Sequence, residues 1–211
     1  MGTQFECRLL LKSEYQSAVR GLERVEAGDA HALKAIQDRC RGLAERDSFK
    51  KWHTAMGYLY RQWVKKINSF PTHASKEVAR EISEMFIALA AMPDYQMSYY
   101  DSDELSPNLV VIGEDDGGLY AVLADADSWF DRLFFERYPQ SSARFGVGRA
   151  MIVLDREDTA RFNKVVKSIS REQCDQARSP EACWKTRGRL LRLLEKCLEL
   201  EDGQIAVSES G

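Results

Sequence analysis

The chain has 211 residues, of which 44% are hydrophobic, 30% charged and 10% aromatic. That composition supports a buried core and excludes disordered, collagen-like and low-complexity classes. The net charge of −3 hides a segregation, because residues 93–138 carry 2 Lys/Arg against 11 Asp/Glu, whereas 1–70 and 139–200 each carry 13 against 8.

No stretch nears the roughly 20 apolar residues of a membrane span. The opening MGTQFECRLLLK has only a three-leucine run, short of the about 7–15 apolar residues of a secretory leader. A cytoplasmic protein without a membrane partner is therefore expected. The odd cysteine set, Cys7, Cys40, Cys174, Cys183 and Cys197, contains no C-x-x-C and fits reduced thiols packed in a core.

In chain order, Thr3–Leu11 reads as a first strand or the start of a helix. Ser13–Glu26 follows as a helix with Tyr15, Val19, Leu22 and Val25 on one stripe. Gly28 and Asp29 break it and recap a second helix over Ala30–Ala44. A third helix is predicted from about Ser48 to Asn68, with Trp52, Met56, Tyr60, Trp63 and Ile67 recurring at helical spacing. A fourth spans Ser75–Ala91, with Val78, Ile82, Met85, Phe86 and Leu89 inward, and Met92-Pro93-Asp94 stops it.

The pattern then changes. Tyr95–Tyr100 reads as extended. Val110–Gly113 and Leu119–Leu123 read as a hairpin across the turn Glu114-Asp115-Asp116-Gly117-Gly118. Asp127–Tyr138 is dense in aromatics, and Arg149–Leu154 is a further strand. Glu157–Ser170 is a helix with Phe162, Val165, Val166 and Ile169 inward. Ser179-Pro180-Glu181 opens a last helix to about Leu200, with Ser as the cap and Pro in the first turn. Cys174 and Cys183 flank the turn before that helix and are placed to face each other. The end of the chain, 202–211, is small and polar and is expected to be flexible.

The expected fold is α+β: a mainly helical half over 1–92, packed with a half over 93–201 whose small mixed sheet is covered by helices.

The chemistry is sparser. Glu114, Asp115 and Asp116 are adjacent carboxylates, but neighbours on an extended chain point to opposite faces, and the spacing is not that of a calcium loop. Asp101, Asp103 and Glu104 share that reading. His31, His53 and His73 are too far apart to form a ligand motif. Gly146-Val147-Gly148 precedes a strand, where a phosphate-binding loop needs glycines before a helix. Arg189, Arg192 and Lys196 share a face of the last helix beside Arg187, and Lys50, Lys51, Lys65 and Lys66 decorate the third. A pI near 5.7 disfavours nucleic acid as the partner.

The twelve residues Val111–Val122, VIGEDDGGLYAV, resemble the strand–turn–strand of SUKH-type bacterial toxin-immunity proteins. The proline-aromatic and asparagine-glycine elements of that family are missing upstream, and the long helices do not fit it, so no membership is assigned.

The acidic segment beside tyrosines has the composition of a protein interface. The expected function is a non-enzymatic binding protein without a cofactor. It would inhibit or neutralise a partner with a basic surface, as in conflicts between bacteria and their plasmids or phages. Tyr99, Tyr100, Asp101, Asp103, Glu104, Glu114, Asp115 and Asp116 are the candidate contact residues. The alternative is a metal-dependent hydrolase or nuclease using carboxylates of 101–116 and 155–158. A third reading is a nucleic-acid-binding regulator using the basic helices.

Overall fold

The computed structural model describes residues 4–44, 55–91, 109–113, 118–126 and 151–210. They form an α+β fold with a four-strand antiparallel sheet. The chain divides into two compact units. One, the sheet unit, takes residues 4–10 together with the described residues from 109 onward; the other, the helical unit, takes 11–44 and 55–91. In sequence the helical unit lies between the first two described strands.

The helical unit contains α1 (Lys12–Glu26), α2 (Ala30–Ala44), α3 (Ala55–Ser69) and α4 (Lys76–Ala91). Helix α1 packs on α2 and α4, and α2 packs on α3. The buried stripe of α1 is Ala18, Leu22 and Val25, while Tyr15 and Val19 are half-buried at its margin. On α4 the buried set Val78, Ile82, Met85 and Phe86 matches the expected face.

The α1–α2 corner is explained by two residues. Gly28 has φ +92°, a left-handed conformation that glycine adopts without a Cβ penalty. It lets Gly28 N–H reach the Val25 carbonyl at 3.0 Å and Asp29 N–H reach the Arg24 carbonyl at 2.9 Å, closing the end of α1. Asp29 Oδ1 then accepts from His31 N at 2.9 Å and Ala32 N at 3.1 Å, starting α2.

On α3 the buried positions are Val64 and Ile67. Trp63 is half-buried rather than central, because it lies beside the Val64–Ile67 stripe. Trp52 lies outside the described residues.

The sheet unit contains β1 (Gln4–Leu11), β2 (Leu109–Gly113), α5 (Leu119–Ala126), β3 (Met151–Leu154), α6 (Arg156–Ser168), α7 (Arg171–Asp175), α8 (Pro180–Glu199) and β4 (Gly203–Ser210). Strand order is β2-β1-β4-β3. In the β1–β2 register Gln4 faces Gly113 and Arg8 faces Leu109; in β3–β4, Met151 faces Ser208 and Leu154 faces Ile205. Alternation sorts the faces. Phe5, Cys7 and Leu9 of β1 enter one core with Val110, Ile112, Ile152, Leu154, Ile205 and Val207. From α6 and α8 that core receives Phe162, Val166, Leu190, Leu193 and Leu194.

Three expectations are corrected here. First, Leu119–Leu123 is not a strand, so Val110–Gly113 has no hairpin partner there. Leu119, Val122 and Leu123 are the buried residues, the i, i+3, i+4 spacing of a helix face. Leucine and alanine dominate the segment, and both favour helix. β2 pairs instead with β1, about a hundred residues earlier in the chain. The resemblance of Val111–Val122 to a strand–turn–strand loses its second strand in the same way.

Second, Gly203–Ser210 is not a flexible tail. It is the strand β4, between β1 and β3, with Ile205 and Val207 fully buried. Their period-two alternation is the signal, and the nearness of the polar end masks it. Third, Pro180 opens α8 as expected, but the Ser179 side chain makes no capping bond. Asp155 does cap α6, accepting from Asp158 N at 2.8 Å.

Candidate functional site

The eight contact residues picked from sequence, Tyr99, Tyr100, Asp101, Asp103, Glu104, Glu114, Asp115 and Asp116, lie outside the described residues. So do Tyr95–Tyr100, Asp127–Tyr138, Gly146–Gly148, His53, Lys50 and Lys51.

The elements flanking the acidic loop are described. On one side β2 buries Ile112, and on the other α5 buries Leu119; each is 0% exposed. Beside α5, Gly118, Tyr120 and Val122 face Gln173, Ala177 and Arg178 across a cleft of about 580 Å³. The Tyr120 ring in this wall stacks on Phe5 with centroids 5.0 Å apart.

The cysteines are core residues. Cys7, Cys40, Cys174, Cys183 and Cys197 are all unbridged and buried. Burial pushes the Cys7 thiol well up, that of Cys40 to about 12 and that of Cys197 to about 11. Cys183 is pushed to about 12 by burial and by the hydrogen bond it shares with Cys174. Thiols so shielded stay protonated near neutral pH and are poor nucleophiles.

Of the carboxylates of 155–158, that of Asp155 has a structural role. Asp155 caps α6, as above, and its own carbonyl accepts from Thr159 Oγ1 at 2.7 Å. Among the described residues no three His, Cys, Asp or Glu side chains come together as a metal site. His31 and His73 are exposed, in the helical unit. His31 borders a second, smaller cleft of about 360 Å³. Asp38 there accepts from Lys34 at 2.8 Å and Arg41 at 2.9 Å. Lys34 foremost, then Arg41, holds the Asp38 carboxyl below its usual range. Buried Gln37 donates Nε2 to the Ile67 and Phe70 carbonyls, each at 3.2 Å.

Several cations of α6, α7 and α8 have partners within the chain. Arg187 stacks on Trp184 and donates to the Lys167 carbonyl. Lys167 pairs with Glu195 at 3.0 Å, and Arg171 pairs with Asp175 and Glu181. Arg189 and Lys196 are half-buried, while Arg192 is exposed. On α3, Lys65 and Lys66 are exposed, and Lys66 reaches Glu81 at 3.4 Å. No described helix is long and apolar enough to cross a membrane.

Comparison with protein-family models, with curated proteins and with solved structures finds no match.

Proposed function

We propose that this chain is a non-enzymatic protein-binding module that inhibits or neutralises a partner with a basic surface. The observation that carries the reading is the charge segregation: 11 carboxylates against 2 arginines within 93–138. The segment holds Tyr95, Tyr99 and Tyr100 beside its first acidic cluster. Such a segment speeds encounter with a basic surface, and desolvated tyrosines then slow escape. Asp101, Asp103, Glu104, Glu114, Asp115 and Asp116 take the rim role, and Tyr99 and Tyr100 the central one.

Two structural facts support the reading. The described elements on either side of 114–116 in sequence, β2 and α5, bury Ile112 and Leu119. Arg171, Arg187 and Lys167 meanwhile have intramolecular partners, which favours the acidic segment over the basic helix as the recognition surface. Five unbridged, buried thiols fit a reducing compartment.

The test is crosslinking capture from the native cell, run in parallel with wild type and with Asp115→Lys/Asp116→Lys. A basic protein captured by wild type and lost with the double reversal is expected. The same captured set with both proteins contradicts the assignment.

A further inference from the structure

Helix α5 and the turn from α7 to α8 border one cleft of the sheet unit, about 580 Å³ in volume. That lies within the roughly 300–1,000 Å³ of ligand sites. Ala121, Val122 and Ala177 give the lining its small apolar part. Gly118 abuts Ala177, since a Cβ on Gly118 would lie 3.4 Å from Ala177 Cβ. Gln173 and Gln176 add exposed amides. Gln173 Oε1 accepts from Ser170 N at 2.8 Å, so its NH2 is the donor that remains.

The charge around the cleft is negative. Residues 114–126 and 171–181 together carry 7 Asp/Glu against 2 arginines. One of the two, Arg171, is paired with Asp175 and Glu181. The other, Arg178, lines the cleft and presents N–H donors only. Asp116 precedes Gly118 by two residues, and consecutive Cα atoms are about 3.8 Å apart, so the chain keeps the Asp116 Cα within about 8 Å of that of Gly118.

Resting on the acidic-segment reading above, we propose that this cleft anchors the same partner by taking one apolar side chain from a lysine-rich segment of it. The apolar side chain is removed from water against Ala121, Val122 and Ala177. Backbone carbonyls of the segment accept from the Gln173 and Gln176 amides and from the Arg178 guanidinium. The flanking ammonium groups face the carboxylates. Charge brings the segment in, and the buried side chain holds it.

The experiment titrates the intact, 15N-labelled protein with three blocked pentapeptides and follows backbone amide shifts. The first has leucine between two lysine pairs, the second has serine in place of the leucine, and the third has glutamates in place of the lysines. Shifts at Gly118, Tyr120–Val122 and Gln173–Arg178 are expected with the first peptide. The serine peptide should bind about tenfold more weakly, and the glutamate peptide more weakly still. Ala121→Trp, at an exposed helix position, should abolish the leucine preference without lowering the melting temperature. Equal binding of the leucine and serine peptides overturns the inference, as do shifts confined to other residues. Tight binding of the glutamate peptide overturns it too, because the cleft would then select anions through Arg178. Asp115→Lys/Asp116→Lys separates the two claims. If the leucine preference is lost but the reversal weakens both lysine peptides, the cleft fails and the acidic-segment reading stands. If the preference is kept and the reversal has no effect, the acidic-segment reading fails and the cleft stands as an apolar anchor. The wild-type comparison needs no variant to fold.

Discussion

The Arg187 guanidinium lies 4.6 Å from the centre of the Trp184 ring, one turn away on α8. The same guanidinium donates Nη2 to the Lys167 carbonyl at 2.9 Å, in the last turn of α6. It therefore joins a cation–π contact to a bond at a helix C-terminus, where positive charge is favoured. Arg187→Ala should cost about 1–2 kcal/mol, measured by denaturant unfolding. Arg187→Lys should recover only part of this, because an ammonium lacks the planar stack. Full recovery by lysine would show that charge alone matters.

Asp29 gives a pH dependence. The hydrogen bond from Arg24, followed by the Ala32 backbone, holds its carboxyl below the ordinary 3.8. A lowered folded pKa means the ionised form is favoured in the native state. Its stabilisation is complete above the unfolded value and is lost as pH falls through the folded one. Asp29→Ala should therefore melt below wild type at neutral pH, and the gap should close only under acid conditions below about pH 4. A gap that persists unchanged through that range would mean the cap acts without its charge.

Asp155 caps α6 through Asp158 N at 2.8 Å. Asp155→Ala should cost about 1 kcal/mol by chemical denaturation, and Asp155→Asn much less, since asparagine also caps. A divalent-ion thermal shift removed by Asp155→Ala would instead revive a metal role for 155–158.

The α8–β4 corner tests the reassigned chain end. A Cβ on Gly203 would collide with the Cys197 carbonyl oxygen, and backbone cannot yield as a flexible side chain can. Gly203→Ala should cost about 1–3 kcal/mol. Ile205→Ala should cost about 2–5 kcal/mol, because Ile205 is fully buried. A loss below about 0.5 kcal/mol for Ile205→Ala is what a surface position gives, and it would contradict β4 as a core strand.

These residues also show what was legible. The helices α1, α2, α4, α6 and α8 announced themselves through apolar stripes and stop residues such as Gly28, all of them local signals. Strand pairing was not legible, because β1 and β2 are joined through a hundred intervening residues and β4 lies between two non-consecutive strands. An acidic glycine turn suggested a hairpin, but the i, i+3, i+4 spacing of Leu119, Val122 and Leu123 already favoured helix. Ile205 and Val207 alternated in plain view within a segment discounted for its small polar neighbours. The candidate contact residues rest on charge and aromatic composition, which mark a surface without fixing its shape. The roles of Arg187 and Gln37 are partnerships between distant backbone groups, for which sequence spacing carries no signal.

The most direct measurement is the association and dissociation kinetics of the purified, captured partner at two salt concentrations, with wild type, Asp115→Lys/Asp116→Lys and Tyr99→Ala/Tyr100→Ala. The double reversal should slow association about tenfold or more at low salt and flatten its salt dependence, leaving dissociation nearly unchanged. The tyrosine variant should do the converse, raising the dissociation rate with little effect on association. Association that is indifferent to the charge reversal would make the acidic segment a solubility feature. A divalent-ion-dependent turnover lost with Asp115→Lys/Asp116→Lys would make the protein an enzyme and end the binding account.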